Sequence, residues 1–496
     1  MIHRIAIGVL VVFLGLTSSF AQSTKPATRP LAELSPEDRH RLVQLTRQAV
    51  DLLKRNQLEP AERTLAQALQ INPTHYLNLY NMACVKAVLG KADEAIECLE
   101  RAALAGYTDF IHIEKDPDLQ SLRDLPRYRD FLAHKEDYQR RVADLTLAWL
   151  QRELGEGYLF EIDTQNKLIF ATNTDAPTLE ALKKRLLIQA SSLWEELFEH
   201  RPEQYISIVL PSPVDYRQIV SRPGVGGFYN HEKRILIAQR LGQVMTHEFT
   251  HALHNADLDP LGQEHAPWVS EGLATLYEPA QLDHNTLIPA DNFRLRAVQD
   301  AAKAKRLLPL RRLLEMDQKA FTANAVVNLT YGQSGSLLLY LHEQGLLRKF
   351  YDTYKARFQA DKTGRLALEE VTGQSLPDLE NNWKTWMLSR TPPPLSTGPN
   401  GAILGIKFAE TTDGLRIDYV LPQGPAQQAG LRVGDIIVGL DDVEVRDSNS
   451  LVAILASHTP GESLILKIRR AQQYLERSLH LAPRPQSLPA SRRGAR

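Results

Sequence analysis

The sequence predicts a multidomain α+β protein with three folded parts: helical repeats, a mixed domain of a small sheet plus helices, and a small β-rich module. Three observations carry this. Apolar positions near the N-terminus recur at a shift of 34 residues, short β-rich runs begin after Gly155, and a proline-rich segment at 391–399 precedes a glycine-studded stretch. At 496 residues the chain can build several cores. Its 58 basic and 59 acidic residues leave a formal charge of −1, with no electrostatic footprint for nucleic acid.

In chain order, residues 1–21 read as a secretory signal: Arg4, an apolar run from Ile5 to Leu16, then Ser19-Phe-Ala21 as the cleavage site. The run is short for a membrane span, so a cleaved signal is preferred over an anchor. The expected location is outside the cytoplasm, periplasmic or extracellular. Residues 35–135 hold the repeats and their cap. Leu45, Ala49, Ala61, Leu65 and Ala68 return as Leu79, Ala83, Ala95, Leu99 and Ala102, each shifted by 34, the tetratricopeptide (TPR) period. Such helix pairs stack through small residues, and residues 116–126 read as a terminal cap. The repeats either offer a protein partner a site or dock on the neighbouring domain. Cys84 and Cys98 fall inside them and read as buried thiols rather than a disulfide.

From 155 to 390 the pattern is mixed. Strands are expected at 158–162, 168–171 and 205–210, with a helix from 178 to 199 between them. The helix-compatible stretch 244–253 then contains His247, Glu248 and His251 as His-Glu-x-x-His. Residues four apart share a helix face, so both imidazoles can reach one metal ion while Glu248 is placed to act as a base. Twenty positions after His251, Glu271 lies in Trp268-Val-Ser-Glu-Gly272, a second helical stretch that can return it as an oxygen ligand. Two His and one Glu make a catalytic zinc set, and the chemistry implied is hydrolysis, foremost of a peptide bond. Asp257 and His265 are rival third ligands, and His254 reads as a helix-face or outer histidine.

The pairing of His-Glu-x-x-His with a downstream Trp-x-x-Glu-Gly resembles the gluzincin metallopeptidases of the peptidase MA superfamily. The resemblance runs from about Tyr158 to Leu388. It implies one Zn2+ per chain on His247, His251 and Glu271, with Glu248 as base. It also implies a sheet edge strand at 234–238 pairing with substrate, a hydroxyl from Tyr331 for the oxyanion, and a helical lobe over the site. For Tyr331 a packed core tyrosine is the competing reading. No Gly-x-Met-Glu-Asn anchor for a free amine is present, which favours endopeptidase over aminopeptidase action.

Residues 391–399 are a linker, and 400–482 resemble a bacterial PDZ domain through Leu404-Gly405-Ile406, Gly424-Pro-Ala426 and the run 429–437. That resemblance implies a peptide groove, with the loop at 404–406 receiving a C-terminal carboxylate and Leu451 and Leu455 lining an apolar pocket. A groove covered from within is the alternative. The tail, 483–496, reads as disordered. The sequence thus points to an exported zinc metallopeptidase with recruiting modules on either side. The rival reading is a TPR and PDZ scaffold around a degenerate peptidase domain, which the retained Glu248 and Glu271 argue against.

Overall fold

Helix α1 (Pro36–Lys54) starts where the sequence supplies a cap: the Ser35 hydroxyl accepts from Asp38 N–H at 3.0 Å, with proline at the first position. A computed structural model describes residues 34–483, except 221–225, 240, 284–285, 292–293, 324–325, 393–401, 412–413, 441–442, 446–450, 452–453, 456–457 and 472. The expected signal, most of the linker and nearly all of the tail lie outside the described residues. Helices α2 (Leu58–Ile71), α3 (Tyr76–Val88) and α4 (Ala92–Leu104) follow on short loops, each packed on the one before. The positions that recur in sequence are the contact positions: Ala49, Ala61, Leu65, Ala83, Ala95 and Leu99 are wholly buried. With only a methyl group at four of these sites the helix axes approach closely. Cys84 and Cys98 are buried and unbridged.

A short α5 (Phe110–Lys115), a 3-10 turn (Pro117–Leu122) and α6 (Pro126–Ala133) close the repeats. The next helix, α7 (Lys135–Leu154), is shared, packing against α4 and α6 on one side and β1 (Leu159–Asp163) and β2 (Leu168–Thr172) on the other. After α8 (Ala176–Glu196), β3 (Ile206–Leu210) and α9 (Pro213–Ile219) come β4 (Gly227–Asn230) and β5 (Ile235–Ala238). The sheet order is β1-β2-β3-β5-β4, parallel between β2, β3 and β5 and antiparallel at both margins. Alternate residues serve opposite faces. Phe170, Ile208 and Leu236 enter the main core, whereas Ile169, Val209 and Ile237 pack with Trp149 and Leu150 of α7.

One expectation is corrected here. The run at 234–238 is β5, an inner strand between β3 and β4, so the free edge belongs to β4. A Cβ on Gly227 would lie 2.6 Å from Val244 Cγ1, so glycine is what lets this edge strand meet the next helix. That helix is α10 (Gln243–Leu258), followed by a 3-10 turn (Asp259–Leu261) and α11 (Pro267–Tyr277).

After a small hairpin of β6 (Gln281–Asp283) and β7 (Thr286–Ile288), the lobe is helical: α12 (Leu295–Lys303), α13 (Leu310–Leu314), α14 (Gln318–Phe321), α15 (Val327–Glu343), α16 (Leu347–Arg357), α17 (Arg365–Thr372) and α18 (Leu376–Ser389). A close seam joins α11 to α15. A Cβ on Gly335 would sit 2.7 Å from Thr275 Cγ2, and one on Gly272 2.9 Å from Leu338 Cδ1. Trp268 and Trp383 are wholly buried in the same core as Phe249 and Leu253 of α10.

The C-terminal part is β-rich and has its own core. It comprises β8 (Ala402–Ile403), β9 (Ile406–Thr411), β10 (Gly414–Val420), α19 (Pro425–Gln428), β11 (Ile436–Leu440), β12 (Val443–Glu444), β13 (Ser463–Arg470), β14 (Gln473–His480) and β15 (Ala482–Pro483). The main sheet runs β14-β13-β11-β10-β9, leaving β9 at one edge, with β12 on β11 and β8 paired to β15. Among the described residues no helix is long and apolar enough to cross a membrane.

Candidate metal centre

Helix α10 carries His247 and His251 one turn apart, and α11 returns Glu271 against them. His247 Nε2 and His251 Nε2 lie 3.1 Å apart, and Glu271 Oε2 is 3.3 Å from the first and 3.2 Å from the second. Ligands at zinc distances of about 2.0–2.1 Å in tetrahedral geometry stand about 3.3 Å from one another, so this triangle has the edge length of three corners of such a site. The other nitrogen of each ring faces an oxygen. His247 Nδ1 is 2.9 Å from Glu278 Oε1, an ion-pair distance, and His251 Nδ1 is 3.2 Å from Ser270 Oγ. With the proton of each ring on Nδ1, both Nε2 lone pairs point at Glu271, the arrangement that metal-ligating histidines adopt.

Glu271 Oε1 accepts from Gln318 Nε2 at 3.2 Å, while Oε2 is buried with no hydrogen-bond partner. Two lone pairs and an unsatisfied carboxylate oxygen facing one point want a cation there. The electrostatics of the bare protein agree. Burial works against a charged His247, yet the Glu271 and Glu278 carboxylates raise its pKa to about 10. Burial likewise opposes ionisation of Glu271, but the two histidines hold its pKa well below the usual carboxylate range.

Glu248 stands apart from the ligand triangle. Its Oε2 accepts from Tyr229 N–H of the edge strand β4 at 2.9 Å. Burial raises its pKa, with His247 and His251 pulling the other way. Tyr331, on α15, stacks on His247 with ring centroids 6.0 Å apart and planes 10° apart, and Phe321 packs on it at 5.6 Å. Burial and then the Glu271 carboxylate push the Tyr331 hydroxyl far above its ordinary pKa, so it remains a donor. The guanidinium of Arg294 covers the Tyr331 ring at 5.5 Å and pairs with Glu278.

His247, His251 and Glu271 therefore converge on one point with Glu248 and Tyr331 as near neighbours, and the rival ligands do not. Asp257 is wholly buried and committed elsewhere: it accepts from the backbone of Glu199 at 2.6 Å and His200 at 2.7 Å, from Tyr351 Oη at 2.8 Å and from Lys355 Nζ at 3.3 Å. His254 and His265 pair with each other at 3.1 Å. Sequence reasoning missed Ser270, Glu278, Arg294 and Gln318. Glu278 had a signal, since it follows Glu271 by two helical turns on one face. The other grouping of metal-competent side chains among the described residues, Cys84 with Asp116 and Asp118, is satisfied internally. Asp116 accepts from Tyr80 Oη, Cys84 Sγ and Asp118 N–H.

In the C-terminal part, Leu404, Leu451 and Leu455 are buried together in its core, and Ile406 begins the edge strand β9. Gly405 adopts φ 76°, and its carbonyl accepts from Leu421 N–H at 2.8 Å. Most of the groove helix expected at 447–457 lies outside the described residues.

Comparison with known proteins gives two family matches. Residues 243–358, which contain His247, Glu248, His251, Glu271 and Tyr331 but not Tyr229, match a family described as a protein of unknown function, DUF1570. Among solved structures, the HtrA-type protease AlgW with decapeptide is 24% identical over 17% of this chain and 30% of that one, with a TM-score of 0.17. A serine endoprotease from Yersinia pestis is 21% identical over 22% and 36%, TM-score 0.16. The chain thus spans about a third of these two structures. An aminopeptidase N family protein from Idiomarina loihiensis is 14% identical over 66% and 67%, TM-score 0.27. These scores are too low to show a common overall fold, so chemistry rests on the site itself. The second family match, described as PDZ domain, spans 402–481, the β-rich part with its own core: this part of the chain is a PDZ domain.

Proposed function

We propose that this chain is an exported zinc-dependent peptidase. The observation that carries the reading is the near-equilateral triangle of His247 Nε2, His251 Nε2 and Glu271 Oε2, with the Glu248 carboxylate beside it but outside it. A purely structural site has no use for that fourth group. When bound, zinc would supply Lewis acidity, lowering the pKa of a coordinated water to near 7 and polarising a carbonyl oxygen.

The chain's own residues would do the rest. Glu248 takes a proton from the attacking water as the new C–O bond forms, and returns it to the nitrogen as the C–N bond breaks. Tyr229 N–H fixes the Glu248 carboxylate, and burial raises its affinity for that proton. Tyr331 donates its hydroxyl to the oxygen that gains charge, and its stacking on His247 sets the ring's position. The PDZ domain would hold peptide C-termini along the β9 edge and so raise the local concentration of substrate.

The deciding experiment is Glu248→Gln. The variant should keep about one zinc per chain by elemental analysis and lose cleavage of a peptide library. Equal cleavage by the variant, with contaminating proteases excluded, refutes the mechanism.

A further inference from the structure

The N-terminal helices meet the rest of the chain along one seam. An aromatic ladder crosses α3 and the loop after α4, stacking His75 on Tyr76, Tyr76 on Tyr107 and Tyr107 on Tyr80, with centroids 6.0, 6.3 and 4.2 Å apart. Tyr76 lies close enough to Glu232 that burial first, and then that carboxylate, push its pKa up to about 12. Glu232 sits in the turn 231–234 joining β4 to β5. Beside the ladder, Thr108 Oγ1 donates to Gln204 Oε1 at 3.2 Å, and Lys115 Nζ donates to the Pro260 carbonyl. Pro260 belongs to the 3-10 turn directly after α10. The same turn's Asp259 pairs with His231 and Arg234 of the hairpin, both at 3.0 Å.

The space left in this seam is a 60 Å³ cavity with Gly106 and Thr108 on one side and Glu232, Lys233 and Arg234 on the other. That volume holds about two waters and no ligand. What this face of the helices engages is thus the hairpin turn and the end of the metal helix. From the turn to the base is a short step, because Tyr229, whose N–H holds Glu248, lies two residues before His231.

We propose that the N-terminal helices act in cis, gripping the β4–β5 hairpin so that its edge strand keeps the Glu248 carboxylate in register with the metal helix. The partner of this surface is the chain's own hairpin rather than a separate protein. The grip stands on the shared cavity lining and on the bond to Pro260, whose neighbour Asp259 pairs with the hairpin; only the role given to Glu248 rests on the peptidase reading.

The test uses the full chain without substrate, so it is independent of whether the chain cleaves peptides. Thr108→Val combined with Lys115→Met removes two hydrogen bonds of the seam, those to Gln204 and to the Pro260 carbonyl. Amide exchange over 226–239 should quicken about fivefold or more, the factor for about 1 kcal/mol. Exchange in β1, β2 and the PDZ domain should stay constant, and Thr108→Val with Lys115→Arg should recover part of the loss. Unchanged exchange at 226–239, or an equal rise across the whole sheet, overturns the proposal. Failure of Glu248→Gln to abolish hydrolysis would sink the peptidase reading and leave this result standing.

Discussion

Gln318 is a residue that nothing in the sequence marks, and it gives the sharpest test of the metal centre. Its amide donates to Glu271 Oε1 from 3.2 Å and so turns Oε2 toward the two imidazoles. A hydrogen bond to a charged group contributes about 1.5–3 kcal/mol. At 3.2 Å this one is at the long end of the N–H···O range, which selects the lower figure. Gln318→Ala should therefore weaken zinc binding by roughly 1.5 kcal/mol, or about tenfold. That matches the lower bound of about 10–100-fold for outer contacts of metal ligands. Competition against a chromophoric chelator reads the affinity without any need for catalysis. Gln318→Glu should be worse than alanine, because it sets a second carboxylate against Glu271. Unchanged affinity in the alanine variant would refute the orienting role. Tighter binding by Gln318→Glu would show that position 318 acts as a ligand, and would refute the donor argument outright.

Four further outcomes are expected. Glu271→Ala should lower zinc affinity by orders of magnitude in the same titration, whereas Asp257→Ala should keep the metal but destabilise the fold by about 1–3 kcal/mol, since it leaves two backbone donors without their acceptor while Lys355 keeps Glu199 and Asp352 at 3.6 and 3.8 Å. Tyr331→Phe should reduce kcat about 100-fold with zinc content unchanged; equal kcat would return this tyrosine to a packing role. Burial, and then Lys355, lower the His265 pKa to about 3. The unfolded chain, with an ordinary His pKa of about 6.5, binds this proton more readily, so stability is full above that pH and falls as pH drops toward the folded value. Denaturant melts of wild type should lose about 2 kcal/mol to this group between pH 7 and 5, and His265→Gln should lose that much less. Free-acid peptides should bind the PDZ domain in the full chain more tightly than their amidated forms; equal binding would make that domain structural.

What could be read from the sequence is what helix and strand periods dictate. The four-residue spacing of His247 and His251 becomes a shared face in any helix, and the 34-residue recurrence places small residues at helix contacts wherever the pairs stack. β2 and β3 announced themselves as apolar runs because both faces of those strands are buried. The edge strand did not. Gly226 and Gly227 carry no side chain for a strand pattern to show, and they are there because Val244 approaches them so closely; the apolar run beside them, expected as the edge, is an inner strand.

The unread half of the site has one physical cause. Arg294 precedes α12, and Gln318 opens a helix of only four residues, 47 positions from the carboxylate it contacts. No period links them to the box; tertiary packing alone brings them in. The Tyr331 ring lies between His247 and Arg294, and Arg294 pairs with Glu278, which faces His247, so the contacts close into a loop. A change at Arg294 would thus disturb both the tautomer of His247 and the placement of Tyr331. Pairwise substitutions within that loop should be non-additive, unlike those at Asp257 and Gln318, which share no partner.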